Sequence, residues 1–492
     1  MTTTALPNRP AGMLREMSGA TPVGQAVPAV AATRVQFYWL CALILSFCYE
    51  LPVIQWSGLD RANPRLFDLV AGFGVLILLF CNQNLRSPFR NPVFKYWAWL
   101  VVWFSVCALV WAACWFPWDT AGKFSVYYAF KYLEGLLCVY IVAAVPLTTQ
   151  QKHRLHWMIV FGGVVVGLYA IGERIQGSTV RMIAEGKELR RAEGTLFSCL
   201  GPTYFHLASF SAAATAMTLA LANKYPPGLR KYLLYAAAVC AAWPSLFSGS
   251  RTGLAMMMLV VAGSFLLMKR TRLTTAFSIG MSIIAILSFF TPEELYQKAI
   301  NSSASIRRLV GIESGSSGHN SVAARVGFGM QGFAMLTGEK YRWQGYRMPV
   351  FGGGFYAVPH SVGGQIYKHR VGYGIHNAYL FPYEQGGLVG FALFVIFLIV
   401  TCKYTWKAFR MASNETDKQF AVGALCVLFA FLPAMWVGQI FWQGFGTENF
   451  NSMLIVIFAL AVRPSTWVAS GLPPRNLGAP RMPGPTGMPP PA

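Results

Sequence analysis

The chain has 492 residues, of which 55% are apolar and only 12% charged, and its 40 Lys and Arg against 18 Asp and Glu give a formal net charge of +22. An average soluble domain is about 25% charged, so this little polar surface could not cover a soluble body of such size. The 15% aromatic content argues against disorder, and a nucleic-acid binder would carry its basic residues on a soluble scaffold. The composition therefore indicates a polytopic membrane protein, in which positive charge is first a topology signal.

Hydropathy predicts about twelve membrane-spanning helices, since a bilayer core needs about 20 apolar residues per helix. The predicted spans are 35–54, 66–81, 96–115, 124–145, 157–174, 204–222, 231–248, 252–268, 274–291, 386–402, 419–440 and 450–462. The predicted division is a disordered tail (1–34), helices one to nine (35–291), a large outer loop (292–385), helices ten to twelve (386–462) and a disordered Pro-rich tail (463–492). The predicted fold class is thus an all-α polytopic membrane protein.

The distribution of Lys and Arg in the short loops predicts the orientation. One set of alternating loops is rich in basic residues: Arg86, Arg90, Lys95, Lys152, Arg154, Lys224, Arg230, Lys231, Lys269, Arg270, Arg272, Lys403, Lys407, Arg410 and Lys418. The opposite set holds only Arg61, Arg65, Lys123 and Arg251. The first set and both tails are therefore predicted to face the cytoplasm, and the long loops 175–203 and 292–385 to face outward.

Several kinds of site lack sequence support. The ten cysteines lie almost all in apolar runs without a CxxC pair, so we expect small hydrophobic side chains and no disulfide framework. The sequence contains neither a Walker A motif nor HExxH. We therefore expect no metal and no cofactor.

A short turn, Ser248-Gly-Ser-Arg251, separates two predicted spans on the side that is poor in Lys and Arg. One interpretation is an arginine that snorkels from a helix end. The other is an anion site, because a guanidinium is permanently charged and offers a planar fork of donors to phosphate. Its small neighbours would let a headgroup approach the backbone.

The outer loop carries a second arginine and a glycine run. Arg325 is the only charge of the amphipathic segment 321–334, and Pro349 precedes three glycines at 352–354. Glycines between aromatic residues are typical of a tight turn against a ligand or another helix.

A histidine lies at the junction between this loop and the tenth span. His376, followed by Asn377, stands just before the apolar run, whereas His319 and His360 lie elsewhere in the loop. A lone histidine is more often structural than catalytic, but the position of His376 at the membrane surface favours a functional role.

Together these segments resemble the O-antigen ligase and Wzy-type polysaccharide polymerase superfamily of bacterial membrane glycosyltransferases. The resemblance covers roughly residues 190–400, while the first 190 residues match only in the number of spans. The motifs that carry it, in order, are Ser248-Gly-Ser-Arg251, Arg325, Pro349-Val-Phe-Gly352-Gly-Gly354, His376-Asn377-Ala-Tyr-Leu380 and Glu384-Gln-Gly-Gly387-Leu-Val-Gly390.

The resemblance implies a GT-C-like enzyme of the bacterial inner membrane with a periplasmic active site. It would transfer a glycan from a polyprenyl-pyrophosphate donor to a glycan or lipid A-core acceptor, and would act as a ligase, a polymerase or a protein glycosylator. The family's two arginines map onto Arg251 and Arg325, and its histidine onto His376. Asn377 and Glu384 would support them, with Glu384 either orienting His376 or capping the next helix. Membrane lipids are further partners, nucleic acid is not, and the oligomeric state stays open.

Elementary chemistry agrees with these roles. A pyrophosphate leaving group gains negative charge as its glycosidic bond breaks, and two guanidiniums can stabilise that charge in a low-dielectric site. Pyrophosphate is a weak base, so its departure needs no general acid. A sugar hydroxyl is a poor nucleophile, and a neutral imidazole can take its proton as the new bond forms. Direct displacement of this kind inverts the anomeric centre.

Charges elsewhere have two interpretations each. Arg190 and Arg191 lie in the 175–203 loop near Glu185, Glu188 and Glu193. They form either a solvated, partly self-paired face, which we favour, or an electropositive mouth that gathers the anionic donor.

Lys131 and Glu134 lie three residues apart within one span, on one helix face. Charged residues inside a membrane are costly and are functional candidates by default, but we favour a structural pair. Asp68, near a span end, is expected to be solvated at the interface.

Two other functions compete with glycosyl transfer. A secondary transporter of a glycan or another small anion would be expected to show internal repeats and charges at the midplane, and only Lys131 and Glu134 qualify. An intramembrane serine hydrolase would pair Ser248 or Ser250 with His376, but the sequence lacks a GxSxG elbow there.

Overall fold

The computed structural model describes residues 32–49, 65–82, 85–114, 120–176, 183–184, 187–188, 198–200, 204–248, 251–268, 378–435 and 448–464. Within these ranges the helices are α1 (Arg34–Ser46), α2 (Leu66–Phe80), α3 (Pro92–Cys114), α4 (Thr120–Ala144), α5 (Thr149–Gln176), α6 (Tyr204–Asn223), α7 (Leu229–Phe247), α8 (Arg251–Leu267), α9 (Phe381–Met411), α10 (Glu415–Ala434) and α11 (Glu448–Val462). Short 3₁₀ turns cover Pro88–Arg90 and Ser198–Leu200. A two-residue antiparallel pair, β1 (Ile183–Ala184) and β2 (Lys187–Glu188), completes the described elements. The predicted all-helical class is confirmed.

These helices overlap every predicted span except 274–291, which lies outside the described residues. Among the described residues, four helical segments are long and apolar enough to cross a membrane: Pro92–Val110, Thr149–Ile175, Gln385–Met411 and Glu415–Ala434. Large apolar side chains also lie exposed on the outer faces of the helices, including Phe80, Ile175 and Val239. An exposed apolar surface of this kind is typical of contact with lipid. The chain therefore has the architecture of a helical, membrane-associated protein.

Local signals set several helix starts. Thr33 and Gln36 form a reciprocal capping box at α1, and Thr148 and Gln151 exchange the same pair of bonds, at 3.1 and 3.0 Å, before α5. Each box satisfies two backbone N–H groups that would otherwise have no partner within the helix. Thr33 and Arg34, the last two residues of the predicted tail 1–34, therefore belong to the cap and the first residue of α1.

Close contacts between small residues hold the middle of the bundle together. A Cβ added to Gly163 of α5 would lie 2.8 Å from the Ala214 side chain of α6, and one added to Gly167 would overlap the Cys240 carbonyl of α7. Glycine at these two positions therefore lets the backbones approach more closely than any larger residue would allow. The nine cysteines whose side chains are described are all free thiols.

The helices of the second half meet at one end of the bundle, here called the Ser248 end. Asn223 lies 3.4 Å from Gln419, which sets the end of α6 beside the start of α10, so these helices are antiparallel. The Ser245 hydroxyl of α7 donates to the Ala208 carbonyl near the start of α6 at 3.0 Å. Ser248 and the start of α6 therefore lie beside the end of α10.

The direction of α8 follows from two contacts. Ser209, near the start of α6, lies 4.0 Å from the Met256 sulfur. Ser264 lies 3.4 Å from the Cys426 sulfur in the middle of α10. Helix α8 is thus antiparallel to α10, and its first residue, Arg251, belongs to the Ser248 end.

The opposite end, here called the Asp417 end, is held by a buried polar network. The Lys152 ammonium lies 2.7 Å from the Asp417 carboxylate and donates to the Arg463 carbonyl at 2.7 Å. The Arg463 guanidinium donates to the last carbonyls of α4, at 3.1 Å for Val142 and 2.8 Å for Ala143. This network joins the start of α5 to the start of α10 and to the ends of α4 and α11. It also gives hydrogen-bond donors to terminal carbonyls that have no partner within their own helix.

The basic residues that the charge rule assigned to the cytoplasm gather at this Asp417 end wherever they are described. Arg90, Arg154, Arg230 and Lys418 all lie within about two turns of a helix end that belongs to it. Lys269, Arg270 and Arg272 fall outside the described residues. The side of the membrane that this end faces stays a prediction.

Candidate functional site

Most of the predicted site lies outside the described residues. This applies to His376, Asn377, Arg325, Arg190 and Arg191. For Arg251 and Glu384 only the backbone is described: Arg251 is the first residue of α8, and Glu384 lies in the first turn of α9. What the structure shows is how the segments next to these residues are held.

Two of the sequence motifs converge at the Ser248 end. Ser248 caps the end of α7, and Arg251, three residues later in the chain, is the first residue of α8. At the same end, the Ala378 N–H donates to the carbonyl of Met435, just after α10, at 2.8 Å. The segments that follow the Ser-Gly-Ser turn and the His376-Asn377 pair in the chain are therefore neighbours of one helix terminus.

The second half of the histidine motif is anchored to α10. The Tyr379 hydroxyl donates to the Leu432 carbonyl at 2.6 Å. This carbonyl belongs to the last turn of α10, where backbone carbonyls have no partner within the helix. Ala378 is fully buried. These contacts give the chain a fixed entry into α9.

The glycines of the Glu384 motif serve the packing of α9 against α3. Gly387 has φ 62° and ψ −157°, which interrupts the helix in a region that is essentially restricted to glycine. The Gly386 carbonyl accepts a 2.8 Å hydrogen bond from the Trp103 indole. A Cβ at Gly386 or Gly390 would come within 2.5 or 2.7 Å of the Phe104 ring. The motif therefore builds a broken helix seated on two aromatic residues of α3.

Replacing Gly387 by alanine is expected to destabilise the protein by about 1–3 kcal/mol, because an L residue must adopt this backbone conformation or straighten the helix. The measurement is the thermal unfolding midpoint in detergent. Gly172→Ala is the matched control, since a Cβ there meets nothing within 4 Å and alanine is favoured in a helix. Equal midpoints for the two variants would contradict this role of Gly387.

A buried carboxylate at the Ser248 end was not singled out by the sequence. Glu173 lies in the last turns of α5 and is 5% exposed. Since α5 starts at the Asp417 end and rises about 1.5 Å per residue, Glu173 reaches the opposite end. An acid followed by Arg174 at the end of an apolar span is a weak signal, because such residues are usually solvated. Its burial makes Glu173 a candidate for orienting groups of the site.

Lys131 joins two carboxylates rather than one. Its ammonium lies 2.9 Å from Glu134 and 2.5 Å from Asp68, and Tyr127 lies over it, with the ring centre 5.9 Å from the ammonium. The predicted pairing of Lys131 with Glu134 is present. The expectation that Asp68 is solvated was wrong, because the parallel packing of α2 on α4 brings it to Lys131.

The comparisons with known proteins add no family. No protein-family model matches the chain, and no curated protein matches it significantly.

Proposed function

We propose that the protein is a membrane glycosyltransferase that moves a glycan from a polyprenyl-pyrophosphate donor to a sugar hydroxyl, as an O-antigen ligase or polysaccharide polymerase. The observation that supports it best is the meeting of two motifs at one end of the bundle. The backbone of Arg251 starts α8 at the Ser248 end, and the bond from Ala378 to Met435 holds the chain after His376 at the same end. A catalytic base and an anion-binding group must be close together to act on one substrate.

In the proposed reaction the acceptor hydroxyl oxygen attacks the anomeric carbon of the donor glycan. The bond from that carbon to the pyrophosphate oxygen breaks, and its electron pair leaves with the pyrophosphate. Arg251 and Arg325 stabilise the charge that develops there. His376 takes the proton of the hydroxyl as the new bond forms. The two guanidiniums supply the positive charge, so the step requires no metal, and the product is inverted at the anomeric carbon.

The proposed setting is the bacterial inner membrane. The Ser248 end faces the periplasm together with the loop 292–385, both tails face the cytoplasm, and about twelve helices form a GT-C-like bundle. The gathering of basic residues at the Asp417 end supports this orientation, because Lys and Arg mark cytoplasmic loops. Asn377, Glu384, Arg190 and Arg191 are proposed as supporting residues around the donor.

The test of this function is a reconstituted transfer reaction. Purified protein is incubated with a polyprenyl-pyrophosphate-linked oligosaccharide, with and without lipid A core, and the products are sized. A ligase attaches glycan only when the core is present, whereas a polymerase lengthens the donor-linked chain without it. Intact donor in both reactions, with correctly inserted protein, would refute the proposal.

Arg251→Lys is expected to lower the rate of transfer about tenfold or more, because lysine keeps the charge but loses the fork that holds two phosphate oxygens. The measurement is the initial rate at saturating donor. Arg174→Lys is the control, since Arg174 is an exposed arginine in the last turn of α5 at the same end. Full activity of Arg251→Lys would leave Arg251 only a role in topology.

A further inference from the structure

A groove on the outer face of α2, α3 and α4 has an apolar and aromatic lining and a volume of about 500 Å³. It begins near the Asp417 end, where the rings of Phe94 and Tyr140 meet edge to face with their centres 5.7 Å apart. It extends along α3 as far as Val102, about 12 Å at 1.5 Å per residue. Trp99, Val102 and Leu133 leave it open towards the surroundings, since each is more than two fifths exposed. The groove therefore has the length and the surface to hold part of a hydrocarbon chain.

Three exposed cations lie beside the groove-lining residues at the Asp417 end. Arg90 follows Phe89, Arg86 lies three residues before it, and Lys95 follows Phe94. Both phenylalanines line the groove. These cations and part of the apolar lining, Phe89 and Phe94, come from the same short stretch of chain, which includes the 3₁₀ turn before α3. A single ligand can therefore contact both.

The surroundings of this basic rim favour an anion. The sequence contains no acidic residue between Asp68 and Asp119, so the rim has no acid of its own segment to neutralise it. Arg463, bound to the last carbonyls of α4, adds a further cation. Burial, together with the nearby charge of Arg86, lowers the pKa of Arg463 to about 10. This repulsion between arginines would be relieved by a bound phosphate.

We propose that the groove and its rim form a binding site for an anionic phospholipid. An acyl chain lies in the groove, and the headgroup phosphate lies among Arg86, Arg90 and Lys95. The proposal rests on the membrane placement of the proposed function but not on glycosyl transfer. Basic pockets between helices on the cytoplasmic side are suited to anionic headgroups. A zwitterionic lipid offers the same phosphate but brings its own cation, and so binds more weakly.

The position of the groove argues against the tail of the glycan donor as its occupant. The donor pyrophosphate is proposed at the Ser248 end, whereas the groove and its cations lie towards the Asp417 end. Helix α3 separates the two ends by 23 residues, or about 34 Å. A lipid of the leaflet at the Asp417 end reaches the rim directly.

The test is native mass spectrometry of the full chain, titrated with phosphatidylglycerol or phosphatidylcholine of identical acyl chains. The variant Arg86→Gln/Arg90→Gln/Lys95→Gln is expected to bind phosphatidylglycerol at least about tenfold more weakly, since each basic residue near the headgroup contributes about fivefold. The control is Lys403→Gln/Lys407→Gln/Arg410→Gln, which removes three exposed cations at the end of α9, towards the same end of the bundle. This control is expected to bind phosphatidylglycerol more tightly than phosphatidylcholine, as the wild type does.

A second variant tests the groove itself. Val102→Trp fills it from a position that is 43% exposed, and is expected to weaken phosphatidylglycerol binding while the three cations remain. The proposal would be overturned if the Arg86→Gln/Arg90→Gln/Lys95→Gln variant kept the wild-type preference for phosphatidylglycerol over phosphatidylcholine. It would also be overturned if the control variant lost that preference to the same extent. The proposal would also be overturned if the wild type bound a polyprenyl phosphate more tightly than phosphatidylglycerol and Val102→Trp abolished that binding, because the groove would then hold a polyprenyl chain. Transfer activity measured on the same samples separates this outcome from a failure of the proposed function.

Discussion

His376→Ala is expected to reduce glycan transfer by about 10²–10⁴-fold, the usual contribution of a general base, without changing the amount of folded protein. Alanine cannot accept the proton of the acceptor hydroxyl, so the attacking oxygen keeps it as the bond forms. The measurement is single-turnover transfer from the lipid-linked donor, with donor binding measured separately. Binding should be nearly unchanged, because the arginines hold the pyrophosphate.

His360→Ala is the control for this experiment, since His360 belongs to the same predicted loop without the position of His376 at the start of a span. It is expected to transfer glycan normally. Near-normal turnover by a correctly inserted His376→Ala protein would remove His376 from the mechanism.

Lys131→Met is expected to lower the free energy of unfolding by about 3–5 kcal/mol, the usual effect of removing one partner from a buried charge cluster. The variant leaves Asp68 and Glu134 close together without the ammonium that lies 2.5 and 2.9 Å from them. Two neighbouring carboxylates in a low-dielectric environment repel each other and lack solvation. The measurement is the thermal unfolding midpoint and the yield of monodisperse protein.

The triple variant Asp68→Asn/Lys131→Met/Glu134→Gln removes all three charges and is expected to recover most of that stability, because a neutral replacement of a buried ionic cluster is often well tolerated. Its transfer activity decides the role of the cluster. Normal transfer means a structural cluster, as we favour. A triple variant that is stable but inactive would contradict a purely structural role of the cluster. An unchanged unfolding midpoint for Lys131→Met would contradict its contribution to stability.

Hydropathy predicted where the helices lie. Their ends depend on single capping residues and on charged last turns, which a hydropathy average over a window does not show. The third span was predicted from 96, but α3 begins at Pro92 because the Asn91 side chain accepts from the N–H of Val93 at 3.1 Å and proline suits a first turn. The tenth span was predicted to end at 402, whereas α9 continues to Met411. Its last turns carry lysine and arginine, which lower hydropathy but support a helix C-terminus.

The contacts between helices were beyond the sequence. Asp68 and Lys131 are 63 residues apart, and no local pattern relates α2 to α4. The glycines after Glu384 were visible as a motif, but their reason became clear only from Phe104 and Trp103 on α3. Such pairings depend on how the bundle packs, which one sequence does not specify by periodicity alone.

The most direct test uses proteoliposomes that hold the polyprenyl-pyrophosphate-linked glycan and an acceptor on the side of the Ser248 end, with a metal chelator present. Two quantities are counted together: polyprenyl pyrophosphate released, and glycosidic bonds formed. We predict that one polyprenyl pyrophosphate is released for each glycosidic bond formed, and that the new linkage has the opposite anomeric configuration to the donor linkage. Glycan that crosses the bilayer with no bond formed and no pyrophosphate released would identify a transporter and contradict the proposed transferase.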